Sequence, residues 1–230
     1  MLKKHHIAFI FTMVLFHKNM VFSQSSTYFG VLPQLNYYKS LDTKYALAFR
    51  VESRQQFLGR EKNESMWVKE RYAYQLTDFF VMGEYKFLSL DKITLGYMLR
   101  QQSNTFLHRT LQQYSLTKEY AKFRIGYRLR TDQTFNNTFQ EARLRYRIAM
   151  EIPLVGQKLN QREFYLKFSH EQLHEINNSI YDLDLRWVFN LGYLDSFKNR
   201  TEFGYDLRLD KFLNGGYRLN NWITISYYFK

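Results

Sequence analysis

The sequence predicts an all-β chain: a transmembrane antiparallel up-and-down β-barrel of about twelve strands, with ten as the alternative. Three observations predict it. Strict alternation of apolar and charged residues recurs along nearly the whole chain. Aromatics make up 19% of the residues, against two prolines and no cysteine. An amphipathic segment, LNNWITISYYFK, ends the chain one residue after a phenylalanine, Phe229.

The alternation is clearest in two neighbouring stretches. Phe123, Ile125, Tyr127 and Leu129 share one parity, while Lys122, Arg124, Arg128 and Arg130 share the other. Leu144, Tyr146, Ile148 and Met150 likewise oppose Glu141, Arg143, Arg145 and Arg147. Successive side chains of a strand point to opposite faces, so each stretch has one oily and one charged face. A helix would scatter both sets around its surface.

Residues 1–23 read as a secretory signal peptide. Lys3 and Lys4 form the positive n-region, and residues 7–16, IAFIFTMVLF, the apolar run. Cleavage is expected near Ser23, leaving 24–230 as one barrel domain. Ten apolar residues are too few for a helix to cross a bilayer, which takes about 20. Losing this segment removes three lysines and no acid, so the formal charge falls from +12 to +9. The remaining charges are spread over alternate strand positions rather than gathered on a helix or glycine-rich loop, which argues against nucleic acid as a partner. Without cysteine there are no disulfides, thiolate metal sites or lipoprotein anchor. The negative mean hydropathy does not exclude a membrane barrel, whose polar lumen dilutes its apolar face.

In order, the expected strands are Phe29–Lys39 and Lys44–Phe57 joined by SLDT, then Met66–Leu76, Phe79–Leu88 and Lys92–Gln102. His108–Leu116 has the weakest pattern. Tyr120–Asp132 and Thr138–Ile152 contain the two opening stretches. Glu163–Glu171, Tyr181–Tyr193, Arg200–Asp210 and Leu219–Phe229 complete the set. Short links such as SLDK and LTKE alternate with the asparagine-rich QSNT, TFNNTF, HEINNS and FLNGGY, which have turn chemistry. A chain starting in the periplasm would place the asparagine-rich set outside, with FLGREKNES and PLVGQKLNQR as long exceptions on the periplasmic side.

Alternation alone does not say whether the oily face meets a core or lipid. Three features point to lipid. The polar parity is crowded with Arg and Tyr rather than with Lys, Ser and Thr. Aromatics assigned to the oily parity gather toward strand ends: Tyr37, Phe57, Tyr85, Phe87, Tyr120, Trp187, Tyr193, Trp222 and Tyr227. The final strand carries Leu219, Ile223, Ile225, Tyr227 and Phe229 on one parity, like the signal by which bacterial barrels engage their assembly machinery. The expected partners are therefore outer-membrane lipid and that machinery. Oligomeric state stays open.

The runs FRIGYRLR, EARLRYRIAMEIPL, REFYLKFSHEQ and IYDLDLRWVFNLGY resemble an uncharacterised family of Bacteroidota outer-membrane barrels, domain of unknown function 2490. Arg128 and Arg130, then Arg143, Arg145 and Arg147 with Pro153, then Glu171, then Asp182 with Arg186 carry the resemblance over roughly residues 28–229. It implies location and fold, and assigns no activity.

With the polar parity inward, the expected lumen holds Arg124, Arg128, Arg130, Arg143, Arg145 and Arg147 on one wall. Asp182, Asp184, Arg186, Glu202 and Asp206 stand on another, facing the first across the interior. Two readings fit: ion pairs that fill the barrel, or a watery passage that favours small anions. Nothing asks for a cofactor. His170-Glu171-Gln172-Leu173-His174 matches H-E-x-x-H, a zinc-hydrolase motif on a helix. In a strand the two histidines would stand about 13 Å apart, beyond a shared zinc. His170 and His174 are thus weak metal candidates, and a surface hydrolase is the alternative function. Rim pairs drawn from Ser103, His108, Ser169 and His170 are the other enzymatic candidates, and an enzyme is not the favoured reading.

Overall fold

The computed structural model describes residues 26–60, 73–88, 90–136, 138–177, 180–213 and 216–230. The expected signal peptide lies outside these residues. Among them, eleven strands follow in order: β1 (Ser26–Ser40), β2 (Tyr45–Arg60), β3 (Ala73–Lys86), β4 (Lys92–Gln102), β5 (Thr105–Glu119) and β6 (Arg124–Asn136). Then come β7 (Thr138–Pro153), β8 (Glu163–Asn177), β9 (Ile180–Leu194), β10 (Arg200–Asp210) and β11 (Arg218–Phe229). Each strand pairs antiparallel with the next, and β1 closes against β11 to leave no free edge. An odd strand count makes that closing pair parallel.

The expected count of about twelve is corrected to eleven. Met66–Leu76 and Phe79–Leu88 do not form two strands: β3 runs unbroken through Thr77 and Asp78, and residues 66–72 lie outside the described residues. Thr77–Asp78 has the composition of a turn. Asp78 instead points inward and accepts two hydrogen bonds from Arg100, from Nε and Nη2, each at 2.7 Å, so its polarity is satisfied within the sheet. LTKE likewise belongs to β5, and the chain turns after it, where the Tyr120 amide donates to the Phe123 carbonyl at 2.9 Å.

Merging two strands changes which end each link occupies. The asparagine-bearing links after β4, β6, β8 and β10 share an end with the start of β1 and the β2–β3 connection. The links after β1, β3, β5, β7 and β9 share the other end with Phe229. Expecting the asparagine-rich set opposite the start of the first strand was therefore wrong, because the extra strand had inverted the order.

The oily parity faces outward. Leu95 is 61% exposed, Phe203 56% and Ile225 50%. The charged parity is buried inside: Arg109, Arg130, Asp132, Glu171, Glu202 and Arg208 are all nearly inaccessible. A small apolar cluster, Phe80, Met82, Met98 and Leu111, also points inward on β3–β5. Trp222 corrects its assignment to the oily set, being 2% exposed. Its parity is opposite to that of Ile223 and Ile225, and its indole packs on Gly30, where any Cβ would collide with the ring and with the Gln55 carbonyl. The β1–β2 register shifts at Phe29/Gly30 and pairs neither Leu32 nor Pro33 with β2, where proline has no N–H to offer.

Candidate functional site: an arginine-lined lumen

The barrel encloses a cavity of about 780 Å3, whose lining counts fifteen Arg and Lys against nine Asp and Glu. Those charges are there because one parity of β6–β10 is charged and the strands turn that parity inward. Isolated charges withdrawn from water cost several kcal/mol each, so a bore this narrow must pair them.

Two carboxylates organise the basic strands. Glu171 on β8 accepts a hydrogen bond from Arg128 on β6 and lies 3.8 Å from Arg145 on β7 and 3.7 Å from Arg186 on β9. Asp132 on β6 sits 2.7 Å from the Nε of both Arg130 and Arg145. Toward the asparagine-bearing end, Glu141 joins Arg143 and stands 3.6 Å from Arg109, while Arg143 donates to Glu175 at 3.0 Å. Nearer the other end, Glu202 takes two bonds from Lys167 at 2.8 Å and one each from the Tyr165 and Tyr228 hydroxyls, at 2.8 and 3.1 Å. Asp206 pairs with Arg208 at 2.7 Å, and Asp184 lies 3.6 Å from Arg186.

These pairs run along the wall, within a strand or to a strand one or two places away. The expectation of a basic wall facing an acidic one across the interior is thus corrected. Strands lie about 4.8 Å apart, so an arginine reaches its neighbour's carboxylate before it reaches the far wall. Asp182 joins no such pair among the described residues. Its Oδ1 accepts the backbone N–H groups of Leu183 and Leu213, at 2.8 and 3.1 Å, and holds the link after β10.

Of the expected lumen residues, Arg128, Arg130, Arg143, Arg145, Arg147, Asp182, Asp184, Arg186, Glu202 and Asp206 line the cavity or its wall. Arg124 does not. It stands at the rim, 48% exposed, 3.2 Å from Glu119 and 3.8 Å from Glu151, because β6 begins at this residue. Asp78, Arg109 and Asp132 are buried on the inward face as well, and were not among the expected lumen residues. Asp78 looked like a turn, and Arg109 lay in the least regular strand. Asp132 stood at the end of an expected strand that extends to Asn136.

Arg50 and Arg147 differ from the other lining arginines: among the described residues, no carboxylate oxygen lies within 4.0 Å of either. Arg50 donates from Nε to the Asn36 Oδ1 at 2.9 Å and covers the Phe80 ring at 5.4 Å. Arg147 donates to the Ser169 hydroxyl at 2.8 Å.

The H-E-x-x-H segment is part of strand β8. Glu171 points into the lumen, and the odd and even residues of a strand face opposite ways, so His170 and His174 point outward. His170 packs on Trp187, with ring centres 5.3 Å apart, and His174 Nδ1 lies 2.7 Å from the Tyr181 hydroxyl. The three residues do not converge on one ion. His108 likewise meets Tyr97 on the outer face.

A family model described as a protein of unknown function, DUF2490, matches residues 29–217. None of the curated proteins matches the sequence. Among solved structures, LpxR from Salmonella typhimurium is similar with a TM-score of 0.48 and 9% identity, covering 80% of this chain and 83% of that one.

Proposed function

The chain belongs to the DUF2490 family, and from that premise we propose that it is an integral outer-membrane barrel whose arginine-lined lumen passes small anionic solutes. The inverted surface carries this reading: apolar residues cover the outside while charge fills the inside. In water, that arrangement would expose the apolar area and bury the ions. In lipid it satisfies both, and barrel closure leaves no unpaired edge.

Aromatic pairs support a membrane interface at the Phe229 end. Tyr37 meets Phe229 at 5.0 Å, Tyr45 meets Tyr85 at 5.1 Å, Tyr120 meets Phe123 at 4.8 Å and Phe164 meets Tyr193 at 4.8 Å. Rings with one wet edge suit the headgroup level. A strand of 15 residues such as β1, tilted as barrel strands are, spans about 35 Å, more than the apolar band of about 25 Å. The barrel then stands proud of the bilayer at the end bearing the asparagine links, which we place outside the cell. The amphipathic strand β11, with Phe229 on its oily parity, supports engagement by the assembly machinery.

The surplus of lining Arg and Lys over Asp and Glu favours anions, as a ring of like charge does in a selective pore. Refolded protein in a planar bilayer under a salt gradient is expected to carry current with an anion-selective reversal potential, weakened by Arg128→Gln or Arg145→Gln. Absence of current, or cation selectivity, refutes passage of anions.

A further inference from the structure

We infer that the lumen holds a discrete binding site for a doubly charged oxyanion, of which inorganic phosphate is the simplest, between Arg50, Arg128 and Arg147. This rests on the reading of the barrel as an anion-accepting lumen, and it adds a place and a charge to it.

Arg128 and Arg147 are register partners across the β6–β7 ladder, so both guanidinium groups project inward side by side. Arg50 reaches in from β2 over the Phe80 ring, at 5.4 Å, the same ring that Arg130, beside Arg128 on β6, covers at 5.8 Å. All three line the cavity. Arg50 and Arg147 carry two positive charges that no carboxylate within ion-pair distance offsets. Glu171, the register partner of Arg147 on β8, is already shared by Arg128, Arg145 and Arg186. The Nε of Arg128 is buried and has no hydrogen-bond partner among the described residues.

Beside these groups the wall is bare. The next inward positions are Gly126 and Ala149, themselves register partners, and a Cβ built on Gly126 meets nothing within 4 Å. Ser169, paired in register with Ala149, brings a hydroxyl to the same place. Two guanidinium groups with no carboxylate at ion-pair distance, an N–H without a partner and vacant volume match a compact dianion: guanidinium forks bind carboxylate and phosphate oxygens in pairs, and a second charge offsets the second arginine.

The test is titration calorimetry of the full-length refolded protein in zwitterionic detergent, with inorganic phosphate as the probe. Saturable binding at one site is expected, stronger at about pH 8, where phosphate is chiefly a dianion, than at about pH 6, where it is chiefly a monoanion. Arg50→Gln with Arg147→Gln should weaken binding about tenfold or more, since each removes charge-assisted hydrogen bonds. Gly126→Val, which fills the vacant volume without touching any charge, should weaken it as well and decides the matter if the arginine variant fails to fold. Displacement of phosphate by equimolar chloride, equal affinity at both pH values, or unchanged binding in Gly126→Val would overturn the site. Saturable binding without bilayer current would retain the site and reject passage. Anion current without saturable binding would do the reverse.

Discussion

Glu171 and Asp132 each neutralise more than one arginine, so each matters more than a single ion pair. Asp132 holds Arg130 and Arg145 with both carboxylate oxygens engaged and its side chain fully inaccessible. Asp132→Asn keeps the shape, leaves Arg130 without an anion and leaves Arg145 with Glu171 alone, 3.8 Å away, a defect that costs about 3–5 kcal/mol when a buried pair is broken. Urea unfolding of the barrel in detergent is expected to show that loss, and a midpoint equal to wild type would refute the role of Asp132. Outside the barrel, Asp42 in the β1–β2 turn accepts the backbone N–H groups of Tyr45 and Lys44, at 2.7 and 2.6 Å. These bonds hold its carboxyl below the ordinary value of 3.8. A lowered carboxyl contributes stability above the unfolded value and loses it as pH falls through the folded one. Wild type and Asp42→Ala should therefore differ in turn proteolysis at neutral pH and converge in strong acid.

At the scale of single strands, the two charged stretches around β6 and β7 were legible in the sequence because every position obeys the period of two. Elsewhere the period was hidden by chemistry that resolves only in three dimensions. Thr77–Asp78 has turn composition, yet Arg100 on the neighbouring strand satisfies Asp78. Trp222 has the character of an interface aromatic, yet it fills the lumen against Gly30. Of the lumen residues expected, all but Arg124 line the cavity, since parity determines them, whereas Asp78, Arg109 and Asp132 were hidden by misplaced or irregular strand bounds. Which acid pairs with which arginine was not, because that depends on register. Gly30→Ala should weaken closure of β1 by about 1–3 kcal/mol, as overpacking does. Gly83→Ala, whose added Cβ meets nothing within 4 Å, should leave stability near wild type. Heat-modifiable mobility after graded warming separates the two, and equal behaviour would refute the close approach of Trp222.

For the whole molecule, the eleven strands of the described residues and their parallel closing pair bring one polar parity inside and one apolar parity outside, and they set Glu171 and the two histidines of the H-E-x-x-H segment on opposite faces of the wall. Removing both histidines, by His170→Ala with His174→Ala, should leave conductance unchanged, since both face outward. The chain's lack of cysteine allows the inside-out arrangement to be tested directly with single cysteines carrying a fluorescent label, in vesicles that contain brominated lipid. Labels at Leu95, Ile148 and Phe203 should be quenched by the lipid, while one at Ala149 should be spared and remain open to an aqueous quencher. Equal lipid quenching at all four positions, or quenching at Ala149 alone, would contradict a barrel that turns its arginines inward and its apolar face to the membrane.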